Sequence, residues 1–90
     1  MLNPVYPKSF NKDIERLTKS GNYNIDKLKT IMIKLINEEI LDPKYKDHKL
    51  IGKFLGCREC HIEPDWLLIY QTDDENIYFV RTGSHSELFK

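Results

Sequence analysis

An α+β fold is predicted: two N-terminal helices packed on a small antiparallel sheet of three to four strands. Three observations lead to it. Apolar residues recur at helical spacing through the first part of the chain, the last third switches to short β-prone runs, and those runs are joined by connections too short for anything but antiparallel pairing. The 90 residues are expected to form a single domain, 1–90. A chain of this length buries roughly 60–70% of the surface it exposes when unfolded, which excludes a large multidomain enzyme. With 40% hydrophobic and 31% charged residues it is neither disordered nor fibrous in composition.

A short edge strand is expected in the Pro-containing start, around Leu2 to Tyr6. From Ser9 to Lys19, Phe10, Ile14 and Leu17 fall on one helical stripe, with Ser9 as N-cap and Gly21 as the residue that tolerates the left-handed turn after the last helical residue. A second helix is predicted from Asn24 to Glu39. Its Leu28, Ile31, Met32, Leu35 and Ile36 make a broad apolar face opposite Lys27, Lys34 and Glu38. Leu41 to Gly56, with Pro43 and many charges, reads as mostly loop, with at most a strand near Leu50 to Leu55. Three strands follow at Cys57 to Ile62, Trp66 to Gln71 and Ile77 to Thr82, separated by Glu63-Pro64-Asp65 and by residues 72–76. The middle strand is apolar on both faces, as suits a central strand with helices on one side and partial cover on the other.

Fourteen basic and fourteen acidic side chains cancel, so the whole-chain field draws in neither nucleic acid nor anionic membrane. The halves differ: residues 1–50 carry ten basic and seven acidic groups, net +3, and residues 51–90 carry four and seven, net −3. The first half is the one expected to face an anion. No apolar run approaches the roughly 20 residues of a bilayer span, and Met1-Leu2-Asn3-Pro4 has neither basic flank nor apolar stretch, so a cytoplasmic protein without a membrane partner is expected.

Two successive hairpins bring chemistry to one end of the sheet. His61 ends the first strand, Asp65 opens the second, Arg81 ends the third and His85 follows it. The geometry sets the end but not the face, since a one-residue slip moves side chains across the sheet. His48 lies in the preceding loop and is not placed. An imidazole exchanges protons near neutral pH, a carboxylate accepts a proton or orients a ring, and a guanidinium holds a phosphate through two parallel contacts. This set suits phosphoryl transfer without metal or cofactor. In RNA the 2′-hydroxyl is the nucleophile, so no protein nucleophile is required. Trp66 and Phe89 are candidate platforms for unpaired bases. Taken singly, each residue has an ordinary reading: a polar strand end for the histidines, a salt-bridge partner for Arg81, a core residue for Trp66.

Cys57-Arg58-Glu59-Cys60-His61 matches the Cys-x-x-Cys-His pattern of covalent haem attachment, and Cys57, Cys60 and His48 or His85 can be drawn as zinc ligands. Both conflict with strand geometry, which holds residues 57 and 60 on opposite faces. Small, buried thiols are the expected role.

Tyr45-Lys46-Asp47-His48, the run Arg58 to Tyr70 and the ending Arg81 to Phe89 resemble the YafQ-like toxins of the RelE superfamily, from bacterial toxin–antitoxin pairs. The resemblance implies a RelE-like fold of a small antiparallel sheet packed by two helices. It also implies an endoribonuclease that enters the ribosomal A site, against ribosomal RNA, and cuts messenger RNA until a cognate antitoxin wraps it. Carried over by motif, the functional positions are His48, His61, Asp65, Arg81, His85 and Phe89, with Trp66 in the site wall. The resemblance assigns His85 as general acid, Asp65 or His48 as general base, Arg81 as stabiliser of the phosphorane and His61 as an orienting group. The neutral charge motivates an alternative, a catalytically inactive module of the same fold that binds antitoxin or RNA.

Overall fold

The computed structural model describes residues 1–89. Its elements, in chain order, are β1 (Asn3–Val5), α1 (Lys8–Ser20), α2 (Ile25–Ile36), β2 (His48–Lys49), β3 (Arg58–Glu63), β4 (Trp66–Thr72), β5 (Asn76–Gly83) and α3 (His85–Leu88), with single 3-10 turns at Pro43–Tyr45 and Gly52–Phe54. The sheet has five strands in the order β1-β5-β4-β3-β2, and β1 runs parallel to β5 while the other pairs are antiparallel. The expected all-antiparallel sheet of three to four strands is therefore corrected to a mixed one of five. The three long strands fall within a residue of their predicted bounds. Leu2 to Tyr6 does contain an edge strand, and Pro4 is tolerated there. The loop before β3 holds a two-residue strand at His48–Lys49; the stretch considered for a strand, Leu50 to Leu55, forms a 3-10 turn instead.

Helix bounds shift for local reasons. α1 starts one residue before Ser9, with Pro7 at the cap position and no side-chain cap; the Ser9 hydroxyl donates to the Val80 carbonyl instead, at 3.3 Å. Gly21 closes α1 at φ +71°, as expected. Asn24 caps α2 by accepting from the Asp26 amide. α2 stops at Ile36, not Glu39, in a Schellman-type turn: Glu38 takes φ +60° and the Glu39 amide donates to the Lys34 carbonyl at 3.0 Å.

The larger core lies between α1, α2 and one face of the sheet, where Phe10, Leu17, Leu28 and Ile31 meet Trp66, Leu68, Tyr70 and Phe79. On the opposite face Leu67 and Ile69 pack with Cys57 and Leu88, so α3 and the 3-10 turn around Phe54 cover what the two longer helices leave open. The apolar-both-faces reading of β4 is borne out. No helix among the described residues is long and apolar enough to cross a membrane.

β1 pairs only with residues 76–78, which leaves the outer edge of β5 without a strand partner near its C-terminal end. α1 closes that edge with side chains. Ser9 donates to Val80 O, Asp13 Oδ2 accepts the Thr82 amide at 3.1 Å, and Arg16 Nη2 donates to Thr82 O at 3.2 Å. Ser9, Asp13 and Arg16 stand at i, i+4 and i+7, one stripe of the helix, and together satisfy backbone groups that an open edge would expose.

Candidate active site

Side chains two apart on a strand share a face, so β3 presents Glu59 and His61 together. The β2–β3 register sets His48 opposite Glu59. Glu59 is only 5% exposed. Its Oε2 lies 3.1 Å from His48 Nε2 and 3.6 Å from His61 Nε2. A buried carboxylate is costly unless cations or donors meet it, which draws both rings to this oxygen. The other nitrogen of His48 points at the Lys46 carbonyl, 2.6 Å away, and that of His61 at the Pro64 carbonyl, 3.3 Å away. Both nitrogens of His48 thus face oxygens. The loop before β2 is itself held by Asp47, which accepts from Arg58 Nε at 2.7 Å and from the Tyr70 hydroxyl; burial first, then this bond to Asp47, pushes the phenol's pKa up.

His85 completes the row: its ring centroid is 5.7 Å from that of His61, which is 6.2 Å from that of His48. Asp65 Oδ1 accepts both the His85 amide, at 2.9 Å, and Nδ1 of its ring, at 2.6 Å. These bonds, the amide first, hold the Asp65 carboxyl below its usual range. With Nδ1 donating, Nε2 of His85 points away from Asp65, on a side chain 52% exposed. α3 is placed by its N-terminus. Ser84 and Glu87 form a reciprocal capping box, and Glu87 Oε2 lies 2.8 Å from Arg16 Nε on α1. Gly83 makes this possible: at φ +156°, a Cβ there would fall 2.8 Å from Arg16 Nη2 and 2.9 Å from Glu87 Oε1.

Hairpin geometry thus assembles His61, Asp65 and His85, and His48, which that geometry left unplaced, joins them through Glu59. Arg81 is held elsewhere. It sits across from Ile69, which in turn faces Glu59, so its Cα is about 10 Å from that of Glu59 across two strand spacings. A bulge inserts Val80 just before it. Its guanidinium donates to Asp13 through Nε at 2.6 Å and Nη2 at 3.1 Å. Arg16 adds a third charged contact to Asp13 at 2.7 Å. Burial pushes the Asp13 carboxyl up, but the bonds from Arg81, Arg16 and the Thr82 amide outweigh it and leave it below the usual range.

Trp66 does not offer a base platform. It is 1% exposed, edge-on to Tyr23 with centroids 4.9 Å apart, and its indole N–H donates to Thr82 Oγ1 at 3.0 Å. The ordinary reading, a core residue, is the one observed. Phe89 is 40% exposed, 6.4 Å from the His85 ring and edge-on to Phe54 at 5.4 Å, so it does present an aromatic face beside the histidines. Sequence reasoning missed Asp13 and Glu59. Each had a signal: Asp13 lies at i+3 between Phe10 and Leu17 on the buried stripe, and Glu59 lies two residues before His61.

Cys60 packs in the larger core and Cys57 in the smaller one across the sheet, which separates the two sulfurs as strand geometry required. Burial pushes the Cys60 thiol up to about 12 and also raises that of Cys57. Both thiols are expected to react slowly with an aromatic disulfide reagent in the native protein, and at full stoichiometry once guanidinium unfolds it. Fast native reaction of Cys60 would contradict its place in the core.

The fold is that of a bacterial toxin of a type II toxin–antitoxin system, the description carried by the family model that matches residues 2–90. Within that class, this chain belongs to the YafQ family. It is 42% identical over 85 residues to the mRNA interferase toxin YafQ of Escherichia coli strain K12, covering 93% of this chain and 91% of that one. The toxin in the crystal structure of the E. coli DinJ-YafQ complex superposes with a TM-score of 0.89 at 40% identity, covering all of both chains. A metal-bound toxin from Helicobacter pylori superposes at 0.90 with 43% identity, covering 99% of this chain and all of that one.

Proposed function

We propose that this chain is an mRNA interferase: an endoribonuclease that enters the A site of the translating ribosome, cuts messenger RNA there, and is silenced by a cognate antitoxin protein. The observation that carries the reading is the Asp65–His85 pair, which leaves a ring nitrogen pointing to solvent beside His61 and Phe89 in a member of the YafQ family. His85 Nε2 is the general acid that protonates the departing 5′-oxygen. Asp65 orients the ring and, being ionised, takes the 2′-hydroxyl proton on Oδ2; His48 has both ring nitrogens engaged. As the 2′-oxygen bonds to phosphorus and the P–O5′ bond breaks, the products are a 2′,3′-cyclic phosphate and a 5′-hydroxyl. His48 and His61, tied to Glu59, orient the substrate beside His85. Arg81, its Nε and Nη2 committed to Asp13, contributes positive charge from the neighbouring strand. Phe89 stacks on a base.

Induction of the wild-type chain in growing bacteria is expected to arrest growth and to produce new 5′-hydroxyl ends clustered in reading frames, while His85→Ala produces neither. Cleavage by purified protein on programmed ribosomes is expected to survive chelation. Folded, soluble wild-type protein that generates no cuts would overturn the reading in favour of an inactive binding module.

A further inference from the structure

Next to the histidine row, between α2, the 3-10 turn at Pro43–Tyr45 and the end of β3, lies a cleft of about 500 Å3 lined by Lys27, Lys44, Tyr45, Lys46, His61 and Glu63 among others. Nothing in the reaction above uses it beyond His61. Its charge is unlike that of the chain as a whole: three lysines face one carboxylate, and that carboxylate is taken by Lys27, whose Nζ lies 2.9 Å from Glu63 Oε2. Lys44 and Lys46 are both exposed and free of ion pairs among the described residues. Tyr45, half-buried between them, packs against the larger core, and the flexible Lys44 side chain lies over its ring with Nζ 5.2 Å from the centroid, a cation that a stacking base would displace toward its own phosphate. An aromatic face flanked by cations is how proteins hold unpaired nucleotides, the base on the ring and the phosphates on the charges. A duplex has no free base face to offer it. His61 belongs to both the cleft and the row that ends at His85, so a strand in the cleft runs directly to the acid.

We propose that this cleft binds the nucleotide adjoining the scissile phosphate of single-stranded RNA, its base stacked on Tyr45 and its phosphates on Lys44 and Lys46. The inference rests on the ribonuclease reading for the identity of the ligand, and it explains how a chain of zero net charge grips a polyanion: the charge is concentrated where the strand enters.

The test measures binding of a fluorescently labelled single-stranded RNA oligomer to the His85→Ala chain, in which the RNA stays intact, across a salt series. Lys44→Ala and Lys46→Asn, the latter chosen because residue 46 sits at φ +51°, are each expected to shallow the slope of log affinity against log salt by about 0.7, one phosphate contact on a single strand. Tyr45→Leu is expected to weaken binding about tenfold or more while Tyr45→Phe retains it. Unchanged slopes in both lysine variants, or no binding of the oligomer to the parent, would overturn the proposal, and neither lysine change touches the core. Cleavage is scored separately with His85 intact. Slopes that shift as expected without cleavage by any form keep the cleft and sink the nuclease; cleavage with unshifted slopes does the reverse.

Discussion

His85→Ala is expected to lower the single-turnover cleavage rate on programmed ribosomes by about 10²–10⁴-fold, the usual contribution of a general acid. Stability should change by no more than about 0.5 kcal/mol, because the ring is half exposed and packs into neither core. Asp65→Ala should also cost a large factor, since it removes both the group that holds His85 Nδ1 and the acceptor of the 2′-hydroxyl proton. The double variant is expected to be little worse than His85→Ala alone, because residues acting as one unit are not additive. Full additivity of the two single changes would show that Asp65 and His85 do not work together.

Asp13→Ala is expected to destabilise the fold by about 1–3 kcal/mol in chemical denaturation, because it leaves the buried Thr82 amide and two partly exposed guanidiniums without their shared acceptor. The side chain is 3% exposed and meets Arg81, Arg16 and the Thr82 amide. Removing it also reopens the edge of β5. The pH dependence has a definite sign. A carboxyl whose pKa is lowered by folding contributes stability that is complete above its unfolded value of about 3.9 and is lost as pH falls through the folded value. Wild type should therefore lose stability below about pH 4 by more than Asp13→Asn does. Equal acid sensitivity in the two would contradict the role given to this carboxylate.

Much of this site was legible because hairpins are local. Tight connections at 63–65 and 72–76 set β3, β4 and β5 beside one another and brought His61, Asp65 and His85 to one end. What escaped was long-range or depended on face. β1 meets β5 more than seventy residues away in sequence, and no turn announces a parallel pairing. β2 is two residues long, too short for any periodicity. Trp66 was open to both roles because β4 is apolar on both sides, so alternation could not say which side the helices cover. Arg81 read equally well as phosphate ligand or ion-pair partner. Its partner, Asp13, comes from α1, and no strand arithmetic reaches a helix. Glu59 hid inside the Cys-x-x-Cys-His pattern, whose chemistry drew attention to the wrong side chains.

The brevity of α3 has a dynamic consequence. A single helical turn does not sustain itself, and this one holds on by the Ser84–Glu87 caps, the Arg16 contact, the exposed Asp65 bonds to His85, Lys53 Nζ on the Leu88 carbonyl and one buried side chain, Leu88. Regions so lightly attached open at far lower free energy than the strands beneath them. Peeling this turn away would carry off His85 and Phe89 together while the five-stranded sheet stayed intact. The chain can therefore be disarmed without being unfolded, by anything that competes for Arg16 or for the seat of Leu88, and rearmed as soon as the competitor leaves.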